Sequence, residues 1–264
     1  MNALIPQFKN KRDLFDYLHK NKSEIIDKRM WNKKEFVFTP CEVTSVMKNA
    51  TSTNKDFIQD GVISKTIIGN TYYWLDSHDD VHDKGIFTKS TKENKNKIRF
   101  THDHEQKLTA RIGTFTDVYE KEVKWKDLGV NKEGYTICLL GDGLIEKQRN
   151  ESIYNAYLNN EIDQHSVEMY YLKMDLALND KEYKEEYKQW NAIFPLLGNP
   201  QKAMERGFFF VQKQAKLKAI SCVVEASNEI TGIYEPSKDT HFNIEPLKST
   251  QNVDYKKLAQ IKYL

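Results

Sequence analysis

The stretch from residue 150 to residue 170 reads NESIYNAYLNNEIDQHSVEMY and changes its hydrophobic period near its middle. Residues 150–160 are helix-like, whereas Ile162, Val167 and Met169 surround a serine in a pattern that approaches alternation. Alternation is typical of a strand that enters a sheet. A serine at the start of such a strand, Ser166, is placed to present its hydroxyl at a sheet end. Because serine is a weak nucleophile without a base beside it, the rest of the chain must supply that base.

Short strand-like segments surround this stretch, with a few helical segments among them. The predicted helices cover residues 10–34, 86–93 and 144–160, and a charged, solvated helix is expected within residues 179–201. The polar run 76–84 and the Gly-Asp-Gly of residues 141–143 both predict turns. The predicted strands cover residues 36–39, 62–68, 71–75, 98–101, 110–115, 118–125, 135–140, 208–211 and 217–224. This pattern predicts an α+β or β-barrel-like fold.

The composition narrows the function classes. The chain has 40 basic and 38 acidic side chains, a net charge of +2, whereas a dedicated nucleic-acid binder usually carries a basic stripe. No apolar run approaches the roughly 18 residues of a membrane span, and the N-terminus lacks the apolar core of a signal peptide. We therefore expect an intracellular protein that binds neither nucleic acid nor a membrane. Cys41, Cys138 and Cys222 form no CxxC pair, and the last two lie in apolar runs that predict buried thiols.

A histidine is the most plausible base for Ser166. His102 and His104 follow the predicted strand 98–101, where a side chain is able to face another strand end. His165 is adjacent to Ser166 but points to the opposite face if both lie in a strand, so we interpret it as a structural or substrate-side neighbour. The remaining histidines are His19, His78, His82 and His241.

Three blocks of sequence, taken in order, carry a family resemblance. Residues 76–113 contain an acidic start, Gly-Ile-Phe, an apolar strand, the two histidines and Ile-Gly. Residues 157–169 read YLNNEIDQHSVEM, and residues 217–231 read LKAISCVVEASNEIT. In this order and spacing the blocks resemble the tailed-phage prohead (capsid maturation) serine proteases, which are distant relatives of the herpesvirus assemblins. The resemblance spans about residues 60–231.

The resemblance implies an α+β, herpesvirus-protease-like β-barrel core surrounded by helices, and a serine endopeptidase that cleaves scaffold and capsid precursors during head maturation. It makes Ser166 the nucleophile and His104 the general base, with His102 as the fallback. His104 would take the proton of Ser166 as the hydroxyl attacks a peptide carbonyl and forms an acyl-enzyme. Backbone N–H groups of a loop near residues 111–113 are the expected oxyanion donors.

Three departures from the family pattern bear on activity. The family's serine is followed by apolar-Gly-aromatic, but here Glu168 stands in place of the glycine. The late acid of the family, which is the expected third triad member, falls on Ala219, so that member stays unknown. Glu225 lies six residues further on, about 20 Å along a strand, which is too far for a direct substitute. Asn160 replaces a small glycine, and asparagine tolerates a left-handed backbone.

Two alternatives stay open beside the protease. Ala219 and Glu168 favour a catalytically impaired protease fold that serves as a structural or assembly component of the capsid. A metal-dependent hydrolase would use the polar run that contains His78, Asp79, Asp80, His82 and Asp83, with residues 102–104 as further ligands. A solvated loop is the favoured interpretation of that run, so no metal is assigned.

The expected organisation has three parts: an N-terminal helical arm over residues 1–55, a prohead-protease-like domain over 56–235 and a polar tail over 236–264. The arm is interpreted as a surface helix on the main domain, with docking to a partner as the alternative. No cofactor is expected. The expected partners are the scaffold protein, the major capsid protein and copies of the chain itself, inside the assembling procapsid in the host cytoplasm.

Overall fold

A computed structural model of the chain describes residues 5–31, 58–59, 61–93 and 95–235. The predicted strand 36–39, Cys41, His241, the tail and the boundary at residue 55 lie outside these ranges. The described residues form six α-helices: α1 (Lys11–Lys20), α2 (Lys22–Trp31), α3 (Thr88–Glu93), α4 (Glu151–Leu158), α5 (Lys184–Ile193) and α6 (Pro200–Arg206). They also form nine strands: β1 (Ile58–Gln59), β2 (Val62–Thr71), β3 (Asp80–His82), β4 (Arg99–His102), β5 (Arg111–Lys124), β6 (Tyr135–Glu146), β7 (His165–Leu178), β8 (Phe208–Cys222) and β9 (Gly232–Ile233).

All nine strands belong to one mixed sheet with the order β1-β2-β6-β5-β4-β8-β3, in which β7 also pairs with β8 and β9 with β2. The short strands β3 and β4 run parallel to β8, and the other pairs are antiparallel. The α+β prediction is therefore confirmed. Among the strands that the structure describes, pairing does not close the sheet, so the barrel that the resemblance implies is not shown.

The segment between β8 and β9 connects the two ends of the open sheet. On the β2 side, Asn228 donates through Nδ2 to the Thr71 carbonyl at 2.7 Å. On the β7 side, the His165 amide donates to the Thr231 hydroxyl at 3.1 Å. Strands β2 and β7 are thus held near each other without hydrogen bonding directly, and a small cleft remains between them.

The N-terminal helices pack on the sheet. The side chain of Asn10 caps α1 by accepting from the Asp13 amide at 2.9 Å, and Asn21 separates α1 from α2. The helix predicted over residues 10–34 is thus two helices in its described part. Their buried side chains Phe15, Leu18 and Ile25 join an apolar cluster with residues of β7 and β8: Met174, Leu176, Leu178, Phe208 and Phe210.

The largest error of the sequence prediction concerns residues 141–150. The Gly-Asp-Gly segment is not a turn but the middle of β6, which continues to Glu146. Helix α4 consequently begins only at Glu151, after its N-cap Asn150, rather than at residue 144. The predicted strands 110–115 and 118–125 are likewise one strand, β5, with a register shift between Phe115 and Asp117.

The charged segment after β7 is less solvated than its composition predicts. Helix α5 buries Glu186, Trp190 and Ile193. The Glu186 carboxylate accepts from Lys22 Nζ of α2 at 2.6 Å, which compensates its burial. The segment therefore helps to attach the N-terminal helices rather than forming a free surface helix.

Candidate functional site

Ser166 is the second residue of β7, and it lies opposite Ser221 of β8. The strand prediction for this stretch is confirmed. The preceding turn contains Asn160 with φ 56°, the left-handed conformation that the replaced glycine suggests. Ser166 is half-buried and lines the cleft between β2 and β7. It lies near the start of β7 because the sharp turn after α4 leads into that strand.

A row of hydroxyl groups crosses the sheet at this level. Thr101 of β4 pairs with Ser221 of β8, which in turn pairs with Ser166 of β7. Thr101 Oγ1 and Ser221 Oγ lie 2.7 Å apart and share a hydrogen bond. The first, second and third sequence blocks that carry the family resemblance therefore meet on three adjacent strands.

His104 lies in the turn that follows β4. Asp103 and His104 have φ 49° and 53°, so two successive residues adopt the left-handed conformation, which is sparsely populated outside glycine. The Asp103 amide donates to the Cys222 carbonyl at 3.0 Å and ties the turn to the end of β8. Burial lowers the pKa of His104, and the negative charges of Glu168 and Asp103 partly oppose that shift. His104 is thus largely neutral near pH 7, which is the form that a general base needs.

His102, the fallback base, is the last residue of β4 and lies level with Cys222. Its Nδ1 is 3.0 Å from Asp103 Oδ2, an exposed pair. Because strand neighbours alternate between faces, His102 is on the other side of the sheet from Thr101 and its hydroxyl row. The strand geometry therefore places the His102 side chain away from the Ser166 face.

Glu168 is the acidic side chain on β7 that lies two residues from Ser166. The register from Ser166 to Glu168 is regular, so both side chains project from the same face of the strand. Glu168 lies directly opposite Ala219 of β8. Its Oε1 accepts from Gln106 Nε2 at 2.7 Å and from Lys218 Nζ at 2.5 Å, so the turn that carries His104 folds over this face.

The cleft beside Ser166 has a volume of about 30 Å³, enough for about two water molecules. Its wall combines apolar side chains of β7 with polar groups of the 69–82 and 227–228 segments: Gly69, Asn70, Asp76, His78, His82, Ser166, Val167, Met169, Tyr171, Ser227 and Asn228. Two more histidines, His78 and His82, therefore lie on the same cleft as Ser166, which sequence reasoning did not predict.

Most of the polar run 76–84 is at least partly buried, with only Ser77 and Lys84 exposed, and the prediction of a solvated loop is wrong. The Asp80 Oδ1 atom accepts from Arg29 Nη2 of α2 at 2.5 Å and from Gln212 Nε2 at 2.8 Å. Its Oδ2 atom accepts from the Tyr171 hydroxyl at 3.1 Å. Asp79 forms a two-pronged pair with Arg206. Burial is tolerated because each carboxylate has a cationic partner from a distant part of the chain.

Two buried side chains of this run, Asp76 and His82, have strongly shifted pKa values. The pKa of Asp76 is raised well above its ordinary value, first by burial and then by the charge of Asp80. Burial lowers the pKa of His82 to about 4, and neither of its ring nitrogens has a hydrogen-bond partner in the described residues. Asp76 is therefore a candidate neutral carboxylic acid, and His82 is a neutral imidazole, beside the cleft.

The predicted metal alternative finds no geometric support in the described residues. Within the ranges 5–31, 58–59, 61–93 and 95–235, no group of three or more His, Cys, Asp or Glu side chains is arranged to hold a metal ion. The carboxylates of Asp79 and Asp80 are directed to arginines instead.

The expected oxyanion loop is also wrong, since residues 111–113 begin β5. There Gly113 pairs with Phe100 of β4 on one side and with Ile145 of β6 on the other. A strand interior that is paired on both edges has its amides engaged in the sheet. Any oxyanion donors must come from another segment.

His165 was predicted to be either a structural or a substrate-side neighbour of Ser166, and its buried position agrees with the structural role. It is fully buried, and its Nε2 lies 2.8 Å from the Tyr157 hydroxyl of α4, on the face opposite Ser166. Burial lowers the pKa of His165 to about 3. Cys222 and Cys138 are buried thiols as predicted, and burial raises their pKa values to about 12 and about 11.

Comparisons with known proteins give no independent assignment, because no family model, curated protein or solved structure matches this chain. In the part of the chain that the structure describes, none of the helices has the length and apolar character that crossing a membrane requires. The functional argument therefore depends on the site itself: a half-buried serine beside a cleft, a neutral histidine in a left-handed turn, and Glu168, which shares the Ser166 face of β7 and contacts the turn that carries the histidine.

Proposed function

We propose that this chain is a serine endopeptidase of the phage prohead class, with Ser166 as the nucleophile and His104 as the general base. One observation carries the proposal. The three blocks of the resemblance are up to about 120 residues apart in sequence, yet β4, β8 and β7 are neighbours in the sheet. A chance likeness of three short blocks gives no reason for them to lie on neighbouring strands.

The chemistry proposed for the site is acyl transfer. His104, neutral near pH 7, accepts the proton of the Ser166 hydroxyl as the oxygen attacks a peptide carbonyl carbon. The protonated histidine then gives that proton to the leaving amine, and water releases the acyl group in the reverse sequence. The proposal includes an assemblin-like fold in which the core sheet is open, and substrates that are scaffold protein, major capsid protein and copies of the chain within the procapsid.

Ser166→Ala provides the test. The full chain and the variant are incubated with a fluorophosphonate probe and, separately, with casein, and intact mass is followed over time. An activated serine displaces the fluoride of the probe and retains the phosphonyl group, which peptide mapping assigns to one residue. We expect labelling of wild type at Ser166, cleavage of casein or of the chain itself, and the loss of both in Ser166→Ala.

His104→Gln and His102→Gln separate the two bases. We expect His104→Gln to lower the labelling rate by about 100-fold or more, and His102→Gln to have a small effect. Labelling that persists in Ser166→Ala, or its absence from folded wild type, would contradict the proposal.

A non-catalytic assembly component built on the same fold is the second candidate. It is favoured by Ala219, a buried methyl group at the position of the expected acid. A folded wild-type chain that neither labels nor cleaves, but co-sediments with assembled capsid protein, would support it.

A further inference from the structure

We infer that Glu168 is the positioning carboxylate of this site. It lies on β7, directly opposite Ala219 of β8, and it orients His104. The inference rests on the proposed function, in which Ser166 and His104 are the reacting groups. It names the member of the site that the sequence leaves unknown.

The placement of Glu168 follows from the β7–β8 register. Glu168 and Ala219 are directly opposed, and opposed side chains in an antiparallel pair have Cβ atoms about 4.5–5.5 Å apart. A carboxylate from either strand therefore reaches the same small region above the sheet. Glu168 also shares its face with Ser166 at a spacing of two residues, about 7 Å.

The hydrogen bonds of Glu168 fix its carboxylate. Gln106 Nε2 at 2.7 Å and Lys218 Nζ at 2.5 Å both bind Oε1. Gln106 belongs to the same turn as His104, so this contact holds the turn against β7. Both of these bonds use Oε1, and we assign Oε2 as the oxygen through which Glu168 acts on His104.

Electrostatics agree with the geometry. The negative charge of Glu168 stabilises the protonated form of His104, and Asp103 of the same turn contributes in the same direction. Lys218 is the charged group that faces Glu168 from β8, and it partly neutralises that carboxylate. A carboxylate beside the base favours the imidazolium that forms as the serine attacks.

Glu168→Gln tests the inference because it keeps the shape of the side chain and removes its charge. The labelling rate of Ser166 by the fluorophosphonate is measured from about pH 5 to pH 9 in the full-length chain. We expect the labelling rate at the plateau of this pH profile to fall by about 100-fold. We also expect the acidic limb to move to lower pH, because His104 loses a stabilising negative charge and Lys218 loses its partner. A purely structural role would lower the plateau without moving the limb.

Two further variants guard against an effect of folding. Glu168→Asp keeps the charge and should leave the acidic limb close to that of wild type. The double variant Glu168→Gln with Ala219→Glu returns a carboxylate from the opposed position and should recover at least about ten-fold of the lost rate. Asp175→Asn is the matched control, since Asp175 is also on β7 and also pairs with a lysine, Lys213, at 3.6 Å. It should leave rate and limb unchanged.

The outcomes distinguish the two proposals. If labelling depends on Ser166 but Glu168→Gln keeps both the plateau and the limb of wild type, the role of Glu168 is wrong and the serine peptidase stands. If folded wild type is not labelled, both fall. Direct titration of selectively labelled histidine by NMR adds a readout without turnover: Glu168→Gln should lower the pKa of His104, and an unchanged value would overturn the inference.

Discussion

His165 shows how a single buried side chain makes stability depend on pH. Its ring is enclosed by the sheet and α4, and its folded-state pKa is about 3 against an ordinary value of 6.5. The unfolded chain therefore takes up the proton more readily than the folded chain. The stabilisation is complete above pH 6.5 and is lost as the pH falls from 6.5 toward 3, at about 1.4 kcal/mol per pH unit for one proton.

We expect His165→Gln to flatten this dependence. The free energy of unfolding, measured by urea denaturation between about pH 6 and pH 4, should fall less steeply in the variant by about 1.4 kcal/mol per pH unit. Using the difference between the two proteins removes the contribution of Asp76, whose raised pKa acts in the opposite direction. Parallel curves for variant and wild type would show that His165 takes up a proton in the folded state.

The candidate site also shows what single residues reveal in sequence and what they do not. The change of period singles out Ser166, whereas the choice of His104 over His102 comes from the family resemblance, and the roles of both residues stay predictions. The relation of Glu168 to Ala219 was not predictable, because it depends on the register between strands that are about 50 residues apart. The ion pair of Asp80 with Arg29 was missed for the same reason, since nothing local distinguishes a buried carboxylate from a solvated one.

At the scale of elements, two glycines explain why β6 was predicted to end too early. A Cβ atom added at Gly143 would lie 2.7 Å from Phe100 Cε1, and one at Gly141 would lie 2.7 Å from Phe115 Cε1. The two rings stack on each other with centroids 4.5 Å apart, directly over the strand. Gly-Asp-Gly signals a turn when read locally, but here glycine makes room for aromatic rings from neighbouring strands.

Gly143→Ala should therefore destabilise the protein by about 1–3 kcal/mol through overpacking. Phe100→Leu in the same chain should recover part of this loss, because the ring that the new methyl group meets is gone. Gly113→Ala is the control: its Cβ would lie 1.9 Å from the Leu144 carbonyl oxygen, so Phe100→Leu should not rescue it. A double-mutant cycle by urea denaturation checks both, and equal coupling of Phe100 to the two glycines would contradict this account.

At the scale of the whole molecule, the N-terminal helices are joined to the cleft as well as to the apolar core. Arg29 of α2 donates through Nη2 to the His78 carbonyl at 2.8 Å and to the Asp80 carboxylate of β3. Its guanidinium carbon lies 4.1 Å from the centre of the Phe210 ring. One side chain thus links a helix that sequence reasoning treated as an arm to the strand beside the candidate site.

Breaking the buried ion pair of Arg29 with Asp80 should lower the free energy of unfolding far more than breaking an exposed ion pair. Arg29→Met leaves the Asp80 carboxylate buried without its cation, so we expect the free energy of unfolding at pH 7 to fall by about 3–5 kcal/mol. Asp80→Asn in the Arg29→Met chain should recover part of that loss, since a neutral amide needs no counter-charge. Arg12→Met removes an arginine from α1 that pairs with Glu182 at the surface, and it should lower the free energy of unfolding far less, because exposed ion pairs contribute little. Equal small losses for the two arginine variants would mean that the N-terminal helices are not part of the unit that carries the cleft.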